Sequence, residues 1–150
     1  MISWQCKHFK ELSNLELYAI IRLRIAVFSI EQQCIYQDCD NRDEESWHLM
    51  GWANGQLVAY ARLLPPELVY DTASIGRVVT DTAVRGTGMG RELMRTAIQN
   101  IHNLFGSTEI TISAQLYLKD FYASFNFKTV GESYLEDQID HIKMKTHNCG

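Results

Sequence analysis

A glycine-rich turn between a strand and a long helix constrains the fold of this chain more than any other segment. It reads Val78-Val-Thr-Asp-Thr-Ala-Val-Arg85-Gly86-Thr-Gly88-Met-Gly90-Arg91-Glu-Leu-Met. Glycines let the backbone approach a ligand closely, and the free N–H groups and dipole of the following helix favour negative charge. Because Arg85 and Arg91 add formal positive charge, the segment predicts an anion-binding site that suits a phosphate group.

Two common phosphate-binding motifs do not fit this turn. The dinucleotide fingerprint G-x-G-x-x-G, counted from Gly86, requires glycine where the chain has Arg91. The Walker A string, G-x-x-x-x-G-K followed by Ser or Thr, is absent from the sequence. The other alternative is a turn without any ligand, which three alternating glycines and two arginines make the less favoured interpretation.

The hydrophobic periodicity predicts a single mixed α/β domain over residues 1–150. Ser13 opens a capping box for the first helix, and Asn54-Gly55 predicts a hairpin turn. Gly106 and Asn126 end two later helices, because both residues tolerate a left-handed backbone. The predicted strands cover residues 2–6, 47–53, 56–64, 74–80, 108–114, 128–134 and 141–146, and the predicted helices cover 14–30, 88–105 and 118–125.

Composition and charge argue against several other classes of protein. With 14 Lys+Arg against 18 Asp+Glu the chain is acidic, which disfavours a nucleic-acid partner. The longest apolar run covers residues 57–61, far below the roughly 20 residues that cross a membrane. The sequence shows neither an export signal nor a C-x-x-C spacing. We therefore expect a cytoplasmic protein without a metal, in which the cysteines are free thiols: Cys6, Cys34, Cys39 and Cys149.

Two motifs resemble those of the GNAT superfamily of N-acetyltransferases. Arg85-Gly-Thr-Gly88-Met-Gly90 matches the acetyl-CoA motif of that family, Arg/Gln-x-x-Gly-x-Gly/Ala after a strand. The segment from Phe121 to Phe127 is similar to the second motif, F-Y-x-x-x-G-F, with Asn126 in the glycine position. A further resemblance to the ElaA-like branch rests on Leu23-Arg24-x-x-Val27-Phe28-x-x-Glu31-Gln32, Tyr36-Gln-Asp38-x-Asp40 and His48.

The resemblance implies a GNAT fold, with a mixed central sheet of about seven strands and about four helices, and it assigns roles to residues. The backbone of the strand before the turn would pair with the pantetheine arm of acetyl-CoA, at Val78, Val79 and Thr80. The pyrophosphate would contact Arg85, Gly86, Thr87, Gly88, Met89 and Gly90, with Arg91 nearby. Gln115 stands where the family often has an asparagine that touches the cofactor, and Tyr122 matches the usual general acid.

Acetyl transfer to an amine requires a neutral amine, a stabilised oxyanion and a proton for the departing thiolate. The phenol of Tyr122 suits the last role, although a core aromatic side chain is the alternative. Backbone N–H groups at Val78 or Val79 are the oxyanion candidates. Glu31 and His48 are candidate bases, with a solvated helix end and a paired strand histidine as alternatives. Positioning alone supplies much of the rate, so a dedicated base is not required.

The acidity of the chain is concentrated in one segment, residues 38–45, which carries a charge of −4 through five acids and Arg42. It is either a solvated loop or an electrostatic funnel for a cationic amine, in which Asp38 and Asp40 would bind the substrate. The remaining acids of the segment are Asp43, Glu44 and Glu45. Arg22, Arg24 and Arg77 are expected to form salt bridges with these acids rather than to act in catalysis.

The sequence thus predicts an acetyl-CoA-dependent N-acetyltransferase that acts on an amine, as a monomer or homodimer, without nucleic acid or membrane. The alternative is a CoA-binding regulatory module that has lost catalysis, which the Asn126 substitution and the lack of a clear base favour and the retained Tyr122 disfavours. A redox or metal protein that uses the cysteines is a third hypothesis, which their spacing disfavours.

Overall fold

The fold is seen in a computed structural model that describes residues 1–106 and 108–146. Its seven strands form one sheet in the spatial order β1-β2-β3-β4-β5-β7-β6, in which only the β4–β5 pair is parallel. The strands are β1 (Ser3–His8), β2 (Trp47–Ala53), β3 (Gln56–Leu64), β4 (Ala73–Thr80), β5 (Ile110–Gln115), β6 (Lys128–Glu136) and β7 (Ile139–Thr146). The helices of the described part are α1 (Asn14–Arg24), α2 (Met89–Phe105) and α3 (Lys119–Ala123). The predicted mixed architecture is therefore confirmed.

Local capping and turn chemistry fix the ends of these elements. Ser13 accepts a hydrogen bond from the Glu16 N–H, and the Glu16 carboxylate accepts one from the Ser13 N–H, so the capping box is present. Asn54 and Gly55 have φ values of 52° and 76°, which is the backbone of a primed hairpin turn. Asn126 has φ 70°, so it takes over the left-handed conformation of the glycine that it replaces.

Most predicted boundaries lie within two residues of the observed ones, and the first helix and the β6–β7 hairpin differ in a way that has a physical reason. The helix predicted over 14–30 is α-helical only as far as Arg24, and a π-helical segment, Ile25–Glu31, continues it. The β6–β7 hairpin is longer at both arms than predicted. Its turn residues Asp137 and Gln138 have φ values of 50° and 67°. Glutamine is not a residue that signals such a turn, so the sequence pattern does not indicate how far the two strands extend.

The two faces of the sheet carry different layers. One face is apolar and packs against α2 and α3, through Leu49, Leu63, Ile112 and Met144 from the sheet and Leu93, Ala97 and Ile101 from α2. The second face packs against α1 over β2–β4, through Ile20 and Leu23 from the helix and Met50 and Tyr60 from the strands. On the same second face, β5 and β7 carry polar residues, Ser113, Gln115 and His141.

Strands β4 and β5 diverge soon after they begin to pair. Their ladder contains only the pairs Ala73–Ile110 and Ser74–Thr111. Further along β4 an extra residue is inserted opposite β3, between the pairs Arg62–Gly76 and Tyr60–Val79. Arg77 lies in this bulge with φ 51°. Since a bulge bends and twists its strand, it turns β4 away from β5 and opens a cleft between the two strands.

Candidate active site

The cleft between β4 and β5 has a volume of about 390 Å³ and is lined by seven of the sixteen predicted site residues, while residues 86–91 of the glycine turn, Asp38, Asp40 and His48 are not part of its lining. Val78, Val79 and Thr80 line it from β4, and Gln115 lies at the end of β5. Glu31 reaches it from the π-helical segment and Tyr122 from α3. Arg85 lies at the cleft edge, where the glycine turn begins. The cleft is therefore shared by the strand, the turn and both helix layers.

The glycine turn has the backbone that an anion cradle requires. Gly86 and Gly88 have φ values of 79° and 85°, and a Cβ atom at either position would meet no heavy atom within 4 Å. The space above the turn is therefore open, and a left-handed backbone explains the glycines. Gly88 is the N-cap of α2, so the free N–H groups of the first helical turn lie here. The Thr87 hydroxyl donates to the carbonyl of Val84 and ties the turn together.

The two arginines of the turn have different partners. Arg85 donates from Nη1 to Glu31 Oε2 at 2.5 Å, from Nη2 to Glu31 Oε1 at 2.9 Å, and from Nη2 to the Thr80 carbonyl at 3.1 Å. Arg91 donates to Ser124 Oγ at 3.3 Å and lies over the Phe125 ring, 5.1 Å from its centroid. The guanidinium of Arg85 is thus at the cleft, and that of Arg91 packs against the end of α3.

Tyr122 is held in the cleft wall by aromatic neighbours. Its ring makes edge contacts with Phe121 and Phe127, and only 8% of the residue is exposed. Burial, with a smaller contribution from Tyr117, raises the pKa of Tyr122 to about 12. The phenol is therefore protonated at neutral pH and can donate its proton.

Glu31 faces the cleft, but its carboxylate is already paired. The hydrogen bonds from Arg85 hold the pKa of Glu31 below its usual range. A lowered pKa makes a carboxylate a weaker base, and both oxygens of Glu31 accept from the guanidinium. In this arrangement Glu31 is not free to take a proton from an amine.

His48 does not reach the cleft, which corrects the expectation that it faces an acceptor groove. It is fully buried, and the rings of Phe9 and Tyr60 are its neighbours. Its Nδ1 lies 2.6 Å from the Tyr60 hydroxyl and its Nε2 lies 2.9 Å from the Asp43 carbonyl. Burial lowers the pKa of His48, and since both ring nitrogens have partners, it serves the core rather than the reaction.

The acidic segment is neither a solvated loop nor a free funnel. Arg24 is fully buried and donates to Asp38 at 2.9 Å and to Asp43 at 2.8 Å. Arg62 binds Asp40 through both of its terminal nitrogens, at 2.7 and 2.9 Å. Burial alone would raise the pKa of Asp40, but the hydrogen bonds and charge of Arg62 lower it overall. The arginines therefore neutralise the carboxylates of Asp38 and Asp40, which disagrees with the expected role in binding a substrate.

The expected salt bridges of this segment are found for two of the three arginines. Arg24 is at its centre, and Arg77 donates from Nε to Asp38 Oδ1 at 2.9 Å and from Nη2 to the Asp38 carbonyl at 3.0 Å. Arg22 is exposed and makes none of these contacts. Because Arg77 is the bulge residue of β4, the acidic segment fixes the strand at the point where the cleft opens.

The cysteines form no common site among the residues that the structure describes. Burial, with a contribution from Glu11, raises the pKa of Cys6 to about 11, which makes it an unreactive thiol. Cys34 donates to the Asp137 carbonyl, and Cys39 is exposed. Cys149 lies outside the described residues. In the described part, no cluster of His, Cys, Asp and Glu could hold a metal ion, and no helix is long and apolar enough to cross a membrane.

Several polar residues of the cleft have no role in the sequence prediction, among them Ser113, Glu136 and His141. His141 is the direct neighbour of Gln115 across the β5–β7 ladder. Glu136 lies at the end of β6, beside the hairpin turn. Ser113 belongs to β5, which borders the cleft, whereas the pairing of β7 with β5 brings His141 and Glu136 there, and no spacing motif in the sequence signals that pairing.

Comparison with known proteins decides the family. A family model described as "Acetyltransferase (GNAT) domain" matches residues 16–147. The chain belongs to the GNAT acetyltransferase family. It is 42% identical to protein ElaA of Escherichia coli over 146 residues, which cover 96% of this chain and 95% of that protein. The resemblance to the ElaA-like branch, the GNAT fold and the N-acetyltransferase class expected from the sequence are therefore confirmed.

Solved structures agree with this GNAT assignment. The crystal structure of E. coli ElaA superimposes on this structure with a TM-score of 0.91, and the match covers 97% of this chain and 99% of the ElaA chain. An acyl-CoA N-acyltransferase from Pseudomonas aeruginosa is 44% identical, with a TM-score of 0.93 over the same shares of the two chains. A GNAT acetyltransferase from Elizabethkingia anophelis with acetyl-CoA bound, only 13% identical, shares the fold over 97% of each chain with a TM-score of 0.69.

Proposed function

We propose that this protein transfers the acetyl group of acetyl-CoA to a primary amine, on a small molecule, a lysine or a chain N-terminus, by direct attack in a ternary complex. The observation that carries the proposal is the cleft between β4 and β5, which leads to Arg85 at the glycine turn. Membership of the GNAT family supports the reaction class. The distant Elizabethkingia protein, with acetyl-CoA bound to the same fold, supports the co-substrate.

The glycine turn fits the pyrophosphate of CoA. Gly86 and Gly88 keep the space above the turn free of side chains, and the N-terminal N–H groups of α2 favour an anion there. Thr87, Met89 and Gly90 would contribute the neighbouring backbone N–H groups, and Arg85 would contribute a guanidinium. The pantetheine arm would lie along Val78, Val79 and Thr80, whose side of β4 is unpaired toward β5, with the Gln115 amide opposite.

Two parts of the chain serve the chemical step in this proposal. The thioester of acetyl-CoA supplies the activated acetyl group. The N–H groups of Val78 and Val79, next to the Arg77 bulge, are the candidates to hold the oxyanion that forms at its carbonyl. Tyr122 would protonate the departing thiolate, because its phenol lines the cleft and keeps its proton at neutral pH.

One assay separates this proposal from its alternative. The protein is incubated with acetyl-CoA and a panel of polyamines, aminoglycosides, arylamines and lysine peptides, and free thiol is measured. Amine-dependent thiol release supports the transferase. Thermal stabilisation by acetyl-CoA without thiol release from any amine would favour a CoA-binding regulatory module instead. No stabilisation and no thiol release would overturn both.

A further inference from the structure

We propose that His141 is the base that deprotonates the acceptor amine and that Glu136 stabilises the resulting imidazolium. The inference rests on the proposed acetyl transfer and adds the residue that the sequence does not reveal. Neither base expected from the sequence is placed for this step: the core encloses His48, and Glu31 lies beside Arg85, at the end of the cleft where we expect the pyrophosphate rather than the thioester. His141 is a titratable side chain in the wall of the same cleft as Tyr122.

The position of His141 is on the side of the cleft opposite Tyr122. Tyr122 belongs to α3, which packs on the first face of the sheet. His141 is paired with Gln115 across the β5–β7 ladder, and both side chains line the cleft from the second face. An acceptor that enters along β5 and β7 would therefore meet His141, while the thiolate leaves on the side of Tyr122.

The hydrogen bonds of His141 fix which nitrogen is basic. Its Nδ1 lies 2.7 Å from the Ile139 carbonyl, and since a carbonyl only accepts, Nδ1 carries the proton and donates. The neutral ring then has its lone pair on Nε2. That nitrogen lies 3.6 Å from Glu136 Oε2, which is too long for a hydrogen bond but close enough to stabilise a cation. Only 7% of His141 is exposed, but the residue lines the cleft, so Nε2 is the nitrogen that would accept a proton from an amine bound there.

Glu136 is itself held in place by a short chain of hydrogen bonds. The Ser113 hydroxyl donates to Glu136 Oε1 at 3.1 Å, and the Tyr134 hydroxyl hydrogen-bonds to Ser113 Oγ. The Tyr134 ring also stacks on the His141 ring, with centroids 6.3 Å apart and an interplanar angle of 23°. The Glu136 side chain is 45% exposed, so its carboxylate can pass the proton of the imidazolium to bulk water.

The other charged groups of the cleft already have partners or lie at its edge. Arg85 pairs with Glu31, and Arg77 binds Asp38. Asp137, in the hairpin turn, is exposed. The remaining titratable side chains of the lining are the phenols of Tyr36, Tyr117 and Tyr122 and the thiol of Cys34. Burial raises the pKa of Tyr36, as it does that of Tyr122, so both remain neutral and do not compete with His141 for a proton.

The reaction begins with a proton transfer from the acceptor, which is an ammonium at neutral pH. His141 Nε2 takes one proton from the ammonium, which leaves a lone pair on the amine nitrogen. That lone pair forms the C–N bond to the acetyl carbonyl, the C–S bond breaks, and its electron pair leaves with sulfur. Tyr122 protonates the thiolate and regains a proton from the nitrogen of the new amide. The imidazolium proton passes to water, so the net products are amide, CoA thiol and one proton.

The test compares two variants with a neighbour on the same hairpin. His141→Gln and Glu136→Gln should each lower kcat/KM for an alkylamine at pH 7, the first by about 100-fold. The dissociation constant for acetyl-CoA should change by less than about twofold, which also shows that the variants are folded. Asp140→Asn is the control, because Asp140 is exposed and adjacent to His141 on the opposite side of β7.

The pH profile and the acceptor's basicity give the decisive readout. With His141→Gln, the rate should rise with pH toward the ordinary pKa of the amine, and the defect should nearly vanish for a trifluoromethyl analogue whose nitrogen is unprotonated at pH 7. A His141→Gln enzyme with a wild-type rate and pH profile would overturn the role of His141 and leave the transferase proposal intact. An equal defect with both amines would also overturn it. If the wild-type protein acetylates neither amine nor any of the panel, the transferase proposal itself fails.

Discussion

Glu31 and Arg85 form a bidentate ion pair at the edge of the cleft, with N–O distances of 2.5 and 2.9 Å. Arg85 is also the guanidinium that we expect to meet the pyrophosphate of CoA. An incoming phosphate must therefore compete with Glu31 for the same donors. Since the pair is partly exposed, its strength is modest and a doubly charged ligand can displace it.

Removing this competitor should tighten CoA binding. With Glu31→Gln, Arg85 is released from a charged partner, and the dissociation constant for CoA should fall by about 2- to 5-fold, as expected for an exposed ion pair. Isothermal titration calorimetry at low salt measures the effect. Glu44→Gln is the matched control, because Glu44 is exposed and equally charged but lies outside the cleft. Weaker CoA binding to Glu31→Gln would show that Glu31 supports the site rather than competing for Arg85.

A carboxylate placed at the glycine turn should abolish CoA binding. Gly88→Glu puts a negative charge at the N-terminus of α2, where we expect the pyrophosphate, and should raise the dissociation constant by more than about 100-fold. Gly55→Glu is a closely matched control. Gly55 also has a positive φ, 76°, and open space at its Cβ, so it incurs the same backbone strain in the β2–β3 hairpin. Equal CoA affinity for the two variants would place the pyrophosphate elsewhere.

Loss of the Tyr122 hydroxyl should affect turnover and spare binding. Tyr122→Phe keeps the ring that packs on Phe121 and Phe127 but removes the proton donor. We expect kcat to fall by about 100-fold, with less than a twofold change in acetyl-CoA affinity. Tyr18→Phe is the control, because Tyr18 is 72% exposed on α1. Unchanged turnover in steady-state thiol release would remove Tyr122 from the mechanism.

The buried arginine of the acidic segment should be a large contributor to stability. Asp38 contacts Arg24 and Arg77, and Asp43 contacts Arg24 and Arg62. Arg24→Met removes the fully buried arginine of each pair, and a break in such a buried network costs up to about 3–5 kcal/mol in the free energy of unfolding. Arg22→Met, on the same helix but exposed, should cost less than about 0.5 kcal/mol. Urea denaturation monitored by circular dichroism compares them, and equal losses would contradict the assigned role of the segment.

Lowering the pH below about 6.5 should destabilise the protein because His48 is buried in its neutral form. In the folded protein, burial lowers the pKa of His48 below its ordinary value of 6.5. As the pH falls below 6.5, His48 therefore takes up a proton in the unfolded chain before it does so in the folded protein. Stability is therefore full above about pH 6.5 and declines toward pH 5, by at most about 1.4 kcal/mol per pH unit. His48→Gln should flatten this decline in denaturation curves between pH 8 and 5. A decline as steep as that of the wild type would assign the effect to other groups.

The fold was largely predictable because local signals agree with the global architecture. The Ser13 capping box, the Asn54-Gly55 turn and the glycines before α2 all have the backbone that their chemistry implies. The β2 and β3 ranges, which are apolar runs on either side of a clear turn, match the prediction.

The predictions that were wrong concern residues whose surroundings depend on contacts between distant segments. A run of acids normally predicts a solvated surface, yet Arg24, Arg62 and Arg77 come from three separate elements to bury it. His48 resembles a cleft histidine by sequence, but the Tyr60 hydroxyl and the Asp43 carbonyl enclose it. Conversely, His141 reaches the cleft only through the pairing of β7 with β5. Tertiary pairing, which composition and spacing do not encode, decided each of these cases.

The central claim is that acetyl groups pass from acetyl-CoA to an amine in the β4–β5 cleft. The most direct measurement is mass spectrometry of amines incubated with isotopically labelled acetyl-CoA and either the wild-type protein or Gly88→Glu. The account predicts labelled acetyl-amide and an equal amount of CoA thiol with the wild type, and neither above background with Gly88→Glu. Absence of labelled amide with every amine tested, while acetyl-CoA still binds the wild-type protein, would contradict it.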